Sequence, residues 1–173
     1  MRIIAGTWRG RPLVAPQGDA TRPTADRMRE TLFSMLTSRL GSFEDLAVGD
    51  FFAGSGAMGF EALSRGAASC IFVERDRAAL TAIRANAEKL GISRPEGRAP
   101  APLDIILMDP PYNTGAGAVA LDKLGRLGWT GPGTWISIET ERGESVDVKG
   151  FSIDTERVIG KGKLTLLRAE TAE

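Results

Sequence analysis

The chain has no histidine, one cysteine and one tyrosine among its 173 residues, and its 22 basic side chains equal its 22 acidic ones in number. Without histidine, imidazole acid-base chemistry and histidine-ligated metal sites are excluded, and we expect no metal. The single cysteine, Cys70, cannot form an internal disulfide, which predicts a reducing, cytoplasmic location. We expect no membrane association, because no apolar run approaches the roughly 20 residues of a span and the first residues lack the apolar core of a signal peptide.

The chain does contain enough apolar residues for one core, since 42% of it is hydrophobic and 25% is charged. Charge is unevenly distributed although it sums to zero. The first 40 residues carry seven arginines (2, 9, 11, 22, 27, 29 and 39) and three acids (Asp19, Asp26 and Glu30). A basic segment on a more acidic body is typical of a protein that contacts phosphates with one region. A solvated, arginine-rich surface hairpin is the alternative.

The basic region begins with a predicted β-hairpin, formed by residues 2–7 and 11–15 around a turn at Gly10. We treat residues 1–20 as an extension that precedes a main domain over 21–173. A helix is predicted over 25–40, and arginines at its start are disfavoured by the helix dipole, which suggests a bound anion or an acidic partner. The candidate substrate-binding residues are Arg9, Arg11, Arg22 and Arg27.

A glycine-rich turn follows a predicted buried strand over 48–53. The turn, Gly54-Ser55-Gly56-Ala57-Met58-Gly59, has the G-x-G-x-x-G form that precedes a helix in nucleotide-binding units. A helix over 58–65 and a strand over 68–73 complete the unit, and Glu74 has the spacing of a carboxylate that binds ribose hydroxyls. This context favours a nucleoside site over glycines that serve only close helix packing.

Asp50 helps to choose between two nucleoside cofactors. NAD and S-adenosylmethionine both place adenosine in such a crevice, but a carboxylate beside the turn favours the positively charged methionine end of S-adenosylmethionine and would repel a pyrophosphate. The alternative is that Asp50 simply faces water at the entry of the strand.

The second informative stretch is residues 104–112. Four apolar residues, 105–108, predict a buried strand, which ends before Pro110 because proline has no amide to donate. Asp109, Pro110, Pro111 and Tyr112 therefore lie on a stiff loop at the carboxyl end of the strand, where open α/β sheets bind ligands.

This loop suits methylation of an exocyclic amino group on a nucleobase. The lone pair of such a nitrogen is delocalised into the ring until hydrogen-bond acceptors hold both of its hydrogens. Asp109 and the Pro110 carbonyl would be those acceptors, and Tyr112 would stack on a base taken out of its helix. A plain turn that ends the strand is the alternative, since Asp-Pro-Pro also favours turns.

The rest of the chain completes a doubly wound α/β sheet with an antiparallel end. Predicted helices cover 77–90 and 117–127, and predicted strands cover 134–139, 151–159 and 163–168. Between Gly91 and Asp104 the chain has three prolines and no strand-like run.

Four segments, residues 2–6, 21–33, 50–67 and 109–112, resemble the RsmD-type guanine-N2 methyltransferases of bacterial small-subunit ribosomal RNA, over nearly the whole chain. The resemblance implies a class I, Rossmann-like fold and methyl transfer from S-adenosylmethionine to a guanine of 16S ribosomal RNA, in an assembled or assembling subunit, by a monomer. It assigns the target base to Asp109–Tyr112. It assigns the cofactor to Asp50, Phe52, Ala53, Gly54, Ser55, Gly56 and Glu74.

The family normally has one more strand between Gly91 and Asp104, which ends in an acidic residue that contacts the adenine amino group. Its absence means either looser cofactor binding or a segment missing from this sequence, and we favour the second. Three other functions stay open at this stage: a DNA adenine amino methyltransferase, which shares the Asp-Pro-Pro-Tyr loop, an NAD-dependent oxidoreductase and a non-catalytic RNA-binding domain.

Overall fold

The computed structural model describes residues 1–16, 23–94 and 97–171. Helices and strands in these residues follow the predicted order, and their ends lie within two residues of the predicted ones. The helices are α1 (Pro23–Leu40), α2 (Ala57–Ser64), α3 (Arg77–Leu90) and α4 (Ala116–Arg126). The strands are β1 (Ala47–Phe51), β2 (Ser69–Val73), β3 (Ile105–Met108), β4 (Trp135–Glu141), β5 (Phe151–Ile159) and β6 (Gly162–Ala169).

One sheet with the strand order β2-β1-β3-β4-β6-β5 forms the centre of the molecule. Strands β1 to β4 are parallel, whereas β6 is antiparallel to both β4 and β5. Alternate residues of β3 face opposite sides: Ile105 and Leu107 pack in the cluster that contains α1, and Ile106 and Met108 in the cluster that contains α4. Both faces are therefore covered, which explains why β3 is apolar throughout. The predicted doubly wound sheet with an antiparallel end is confirmed.

The predicted amino-terminal hairpin forms, but without regular strands. Three backbone hydrogen bonds join its two arms, from the amides of Ile3, Gly10 and Leu13 to the carbonyls of Arg11, Ile3 and Met1, at 3.0, 2.8 and 2.9 Å. Only one bridge, between Arg2 and Pro12, is formed in the described residues, so the predicted strands are wrong. The amides of Ile4 and Ala5 donate instead to the buried carboxylate of Glu61 on α2, at 2.9 and 3.1 Å, so they are not available to a partner strand. The segment therefore packs against the body of the protein. The proposed boundary at residue 20 lies outside the described residues.

The described residues between α3 and β3 form no strand, as the sequence indicates. Strand β2 is consequently an edge strand of the sheet. In the part of the chain that the structure covers, no helix is long and apolar enough to cross a membrane.

Candidate functional site

A cavity of about 390 Å³ lies at the carboxyl ends of β1, β3 and β4. The glycine-rich turn after β1 forms one wall, and Asp109 after β3 and Glu139 of β4 form another. The two walls meet where the Asp109 amide donates to the Phe51 carbonyl at 3.4 Å. The two stretches that the sequence singled out therefore face one cavity, as parallel neighbouring strands require.

The three glycines of the turn have different roles. Gly54 has φ +57°, and a Cβ on it would meet nothing within 4 Å, so its backbone is open to a ligand. A Cβ on Gly56 would lie 2.7 Å from the Phe60 ring, and one on Gly59 would lie 2.4 Å from the Phe72 ring. The second and third glycines therefore serve close packing, whereas the first leaves the open space that a ligand would need.

Phe52, Ala53 and Ser55 line the same cavity. Phe52 has φ +58°, a backbone conformation that costs a non-glycine residue about 1–3 kcal/mol. This backbone conformation turns the chain sharply at the end of β1.

Asp50 lies beneath the turn and does not line the cavity. Its side chain is completely buried, so the alternative in which it faces water is wrong. Its Oδ2 accepts the Gly59 amide at 2.9 Å, whereas its Oδ1 has no hydrogen-bond partner among the described residues. Burial raises the pKa of Asp50 to about 8, although the Gly59 bond works in the opposite direction.

Glu74 holds the turn from the other side. Its Oε2 accepts the Gly54 amide at 2.9 Å, and its Oε1 accepts the amides of Arg75 and Asp76 at 2.8 and 3.0 Å. Partial burial acts to raise the pKa of Glu74, but hydrogen bonds from the amides of Asp76, Gly54 and Arg75 outweigh it, so the pKa is lowered. The carboxylate stays charged and keeps lone pairs for further donors such as hydroxyl groups.

Asn86 of α3 was not identified from the sequence. Its buried amide donates to the carbonyls of Val14 and Ser55, at 2.9 and 3.0 Å, and its Oδ1 accepts the Val14 amide at 2.7 Å. Asn86 thereby joins the amino-terminal segment to the glycine turn. Its signal in the sequence is its position at helical spacing between Ile83 and Leu90, where an apolar residue is expected.

Asp109, Tyr112 and Glu139 form what we call the acidic corner of the cavity. Glu139 lies on β4, and its Oε1 accepts the Tyr112 hydroxyl at 3.0 Å, while its carboxyl group adjoins that of Asp109. A Cβ on Gly162 would lie 2.9 Å from the Tyr112 Oη, so the glycine at the start of β6 leaves room for this contact. Glu139 was also missed, although a charged residue that directly follows the apolar residues of a predicted strand is a usable signal.

The acidic corner holds protons to higher pH than isolated carboxyl groups do. Asp109 is exposed as a residue because its loop lies at the rim, but protein atoms surround its carboxyl group. This burial raises the pKa of Asp109 well above the usual range, and the nearby Glu139 raises it further. Burial also raises the pKa of Glu139, against the effect of hydrogen bonds from Tyr112 and Asp109. The pKa of Tyr112 rises for the same reasons, burial first and the charge of Glu139 second.

The two prolines of the loop differ in what they offer. The Pro111 carbonyl accepts the Thr114 hydroxyl at 2.8 Å, which leaves the Pro110 carbonyl as the proline acceptor for a base. Pro110 itself is buried, and a Cβ on Gly117 of α4 would lie 3.0 Å from its ring. Tyr112 is 42% exposed, so its ring is accessible for stacking.

The structure describes three of the four candidate RNA-contacting arginines, and of these only Arg9 lies in a depression next to the cavity. Arg9 and Arg27 are exposed, whereas Arg11 donates to the Lys89 carbonyl at 2.5 Å, and Arg22 lies outside the described residues. Arg9 lines a shallow depression that shares Met1, Asp26 and Arg29 with the main cavity. The basic segment thus borders the site.

Arg29 has an acidic partner inside the chain. Its Nε lies 3.6 Å from the Glu61 carboxylate, its Nη2 lies 3.5 Å from Asp26, and the same Nη2 donates to the Arg2 carbonyl at 2.5 Å. The acidic partner expected at the start of α1 is therefore found, at Arg29, within the protein itself. This buried contact joins α1, α2 and the amino-terminal segment.

Comparisons with known proteins agree with this architecture. The family described as "Conserved hypothetical protein 95" matches residues 1–168. The ribosomal RNA small subunit methyltransferase D of Escherichia coli K12 is 35% identical over 185 residues, which cover 98% of this chain and 90% of that protein. The protein of the same name from Haemophilus influenzae is 35% identical over 156 residues, 82% of this chain and 79% of the relative.

Solved structures show the same fold. The putative methyltransferase yhhF of E. coli superposes with a TM-score of 0.81 at 34% identity, over 99% of both chains. The Thermus thermophilus 16S rRNA N2 G1207 methyltransferase RsmC, in complex with AdoMet and guanosine, superposes with a TM-score of 0.62 at 19% identity, over 91% of this chain and 45% of RsmC, a likeness of fold alone. The predicted RsmD-type resemblance and fold class are confirmed. The chain belongs to the conserved hypothetical protein 95 family, with the proteins called ribosomal RNA small subunit methyltransferase D, and it is a methyltransferase with the class I fold.

Proposed function

We propose that this protein transfers a methyl group from S-adenosylmethionine to the exocyclic N2 amine of a guanine in 16S ribosomal RNA. The observation that carries the proposal is the single cavity that joins the open backbone of Gly54 to the carboxyl groups of Asp109 and Glu139. The RNA substrate is suggested by the relatives named ribosomal RNA small subunit methyltransferase D. RsmC, which shares the fold, is a guanine-N2 methyltransferase.

The residues of the turn fit the cofactor. When bound, S-adenosylmethionine supplies an electrophilic methyl group on a positively charged sulfonium. Gly54 leaves open space for close approach, and Glu74 keeps lone pairs for ribose hydroxyls. Asp50 does not line the cavity, but its unpartnered Oδ1 lies beneath the turn, and the positive charge of the methionine end would favour the ionised form of this buried acid. Phe52, Ala53, Ser55 and Gly56 complete this surface or support it.

The same charges oppose the NAD alternative. Asp109 and Glu139 line the cavity, and Asp50 lies below it. A cation that binds here would favour the ionised form of these carboxyl groups and be attracted by it, whereas a pyrophosphate would be repelled by each of them that is ionised. This favours S-adenosylmethionine over a dinucleotide.

The acidic corner prepares the amine for methyl transfer. Asp109 and the Pro110 carbonyl accept the two N2 hydrogens, which draws the lone pair out of conjugation with the ring and toward the methyl donor. Tyr112 stacks on the base. The methylated nitrogen is a strong acid while it is cationic, so its proton passes to whichever carboxyl group of Asp109 and Glu139 is ionised when the base is bound, and the raised pKa makes that carboxylate a stronger base. The protein therefore accelerates the reaction mainly by positioning the amine against the methyl donor.

The RNA is held outside the cavity by the basic segment. Arg9 and Arg27 are exposed near the rim and Arg22 precedes α1, so all three are proposed to contact phosphates, with Arg11 beside them. The target base is extruded into the cavity, as in other enzymes that modify a base within a structured nucleic acid. We propose an assembled or assembling small subunit as substrate and a monomer as the active form.

Transfer of labelled methyl groups tests this proposal. Small subunits that lack the modification, naked 16S ribosomal RNA and DNA are each incubated with the protein and S-adenosylmethionine, and the modified base is mapped. We expect N2-methylguanine in ribosomal RNA. Labelled adenine in DNA would support the DNA alternative, and cofactor binding without transfer to any of the three would support a non-catalytic domain.

A further inference from the structure

Glu139 lies where a target base would meet the protein, yet neither the glycine turn nor the Asp-Pro-Pro-Tyr loop contains it. It lines the cavity beside Asp109, on the neighbouring parallel strand. Among the described residues, neither carboxyl group has a lysine or arginine within 4.0 Å. Two adjacent acceptors without a basic partner form a site for a ligand that presents hydrogen-bond donors.

The hydrogen bond from Tyr112 defines how Glu139 can act. The tyrosine hydroxyl donates to Oε1 at 3.0 Å, and the protonated Asp109 carboxyl group donates to Glu139 as well. A ligand that presents two donors would replace the contact between the two carboxyl groups and leave the Tyr112 bond in place. Gly162 makes this arrangement possible, since a Cβ there would lie 2.9 Å from the hydroxyl and 3.5 Å from Oε1. Glu139 is therefore held in place by the residue proposed to stack on the base.

Guanine presents the matching pattern. Its N1–H and one N2–H point in the same direction from adjacent ring positions, so its Watson–Crick edge offers two neighbouring donors. Adenine offers one donor, from its N6 amine, next to the unprotonated N1 lone pair. Two carboxylates side by side satisfy both guanine donors, whereas one of them would face the lone pair of adenine and repel it.

We propose that Glu139 selects guanine, because its carboxylate accepts the N1–H of the target base while Asp109 accepts a hydrogen of N2. This inference rests on the proposed function and deepens it, since it assigns base specificity to a residue outside the two sequence motifs. A site built to accept a donor leaves a buried polar group unpaired when the donor is missing, so discrimination on the order of 10²-fold or more is expected.

The test uses an RNA in which 2-aminopurine replaces the guanine mapped for the wild-type protein. This base keeps the reactive 2-amino group but has a lone pair in place of N1–H. The kcat/KM for methyl transfer to each base is measured with the wild-type protein and with Glu139→Gln, together with the Kd for S-adenosylmethionine. The wild-type protein should prefer guanine by about 10²-fold or more. The side-chain amide introduced by Glu139→Gln can also donate to the lone pair, so the preference should fall at least about tenfold in the variant.

A control is Glu88→Gln. It removes the same charge from an exposed side chain of α3 that does not line the cavity, so the preference for guanine should match that of the wild-type protein. Tyr112→Phe is a second variant, which removes only the hydroxyl that holds Glu139. It should reduce the preference about threefold, with an unchanged Kd for the cofactor.

The outcomes separate this inference from the proposed function. If the wild-type protein methylates no guanine, the proposed function fails. If it methylates guanine, and both Glu139→Gln and Tyr112→Phe keep the wild-type preference over 2-aminopurine, Glu139 does not read N1–H and only the present inference fails. Should Glu139→Gln not fold, as shown by lost cofactor binding, the Tyr112→Phe result decides alone.

Discussion

The two walls of the cavity are built in different ways. The glycine turn consists of consecutive residues, and it offers open space beside the backbone at Gly54. Glu74 holds the turn by accepting the Gly54 amide, and Asp50 holds it by accepting the Gly59 amide. The acidic corner consists of side chains from the β3 loop and β4, with Gly162 of β6 behind them. In the proposed function, the first wall holds the cofactor and the second acts on the amine of the base.

The carboxyl groups of the two walls also differ in their protonation. Three backbone amides bind Glu74 and keep it charged. Asp50 receives one such bond in complete burial, and Asp109 adjoins another acid, so the pKa of each is raised. The carboxyl ends of the strands therefore carry one carboxylate that amides hold ionised, Glu74, and two carboxyl groups, Asp50 and Asp109, whose raised pKa favours the protonated form.

The largest expected effect comes from the acidic corner. Asp109→Ala should lower kcat at least about 10³-fold, because it removes the acceptor that exposes the amine lone pair. The Kd for S-adenosylmethionine should change no more than about threefold, since the glycine turn stays intact. Single-turnover methyl transfer and calorimetric binding measure the two effects. Asp122→Ala, an exposed carboxyl on α4, is the control. A near-normal kcat in Asp109→Ala would show that the acidic corner does not act on the amine.

The next largest effect is expected at the glycine turn. Gly54→Ala should weaken cofactor binding at least about tenfold, because the methyl group enters open space that the cofactor would use and the residue has φ +57°. Gly128→Ala is a matched control, since Gly128 also has positive φ, +84°, and open space around its Cβ, but it follows α4 away from the cavity. If Gly54→Ala and Gly128→Ala lose the same stability and bind the cofactor with the same affinity, Gly54 does not contact the cofactor.

A smaller effect tests the buried acid beneath the turn. The pKa of Asp50 rises from 3.8 to about 8 on folding, so its contribution favours the folded state below pH 3.8 and is lost as the pH rises through about 8. Between pH 3.8 and about 8, Asp50 should therefore lower the free energy of unfolding of the wild-type protein as the pH rises, by at most about 1.4 kcal/mol per pH unit. Asp50→Asn cannot ionise and should lack this part of the pH dependence. Urea unfolding at about pH 5 and about pH 7.5, both within that window, measures the difference between the two proteins. Identical pH slopes would mean that Asp50 is already ionised in the folded protein.

The smallest effect concerns the rim. Replacing Arg9 and Arg11 together by alanine should weaken RNA binding severalfold and reduce the slope of log K against log salt by about 1 to 2. Most of the change should come from Arg9, because Arg11 already donates to the Lys89 carbonyl. Filter binding at several salt concentrations compares these proteins with Arg126→Ala, an exposed arginine on α4. An unchanged slope would place the RNA elsewhere.

Prediction from the sequence succeeded where neighbours in the chain decide the structure. The ends of α3, β3 and β5 were predicted to the residue, because apolar periodicity, Gly91 and Pro110 define them locally. It failed for the strands of the amino-terminal hairpin, because the amides of Ile4 and Ala5 bind Glu61 on α2 instead of the other arm. No local pattern in residues 1–16 shows that partner.

The sequence by itself determined the order of helices and strands, the glycine turn and the Asp-Pro-Pro-Tyr loop, since each depends on the backbone preferences of adjacent residues. Only the tertiary structure placed Glu139 beside Asp109 and under the hydroxyl of Tyr112, 27 residues earlier in the chain. The physical reason is that this contact depends on β4 lying next to β3 and on β6 presenting a glycine at that point. Strand order and close packing are properties of the whole sheet.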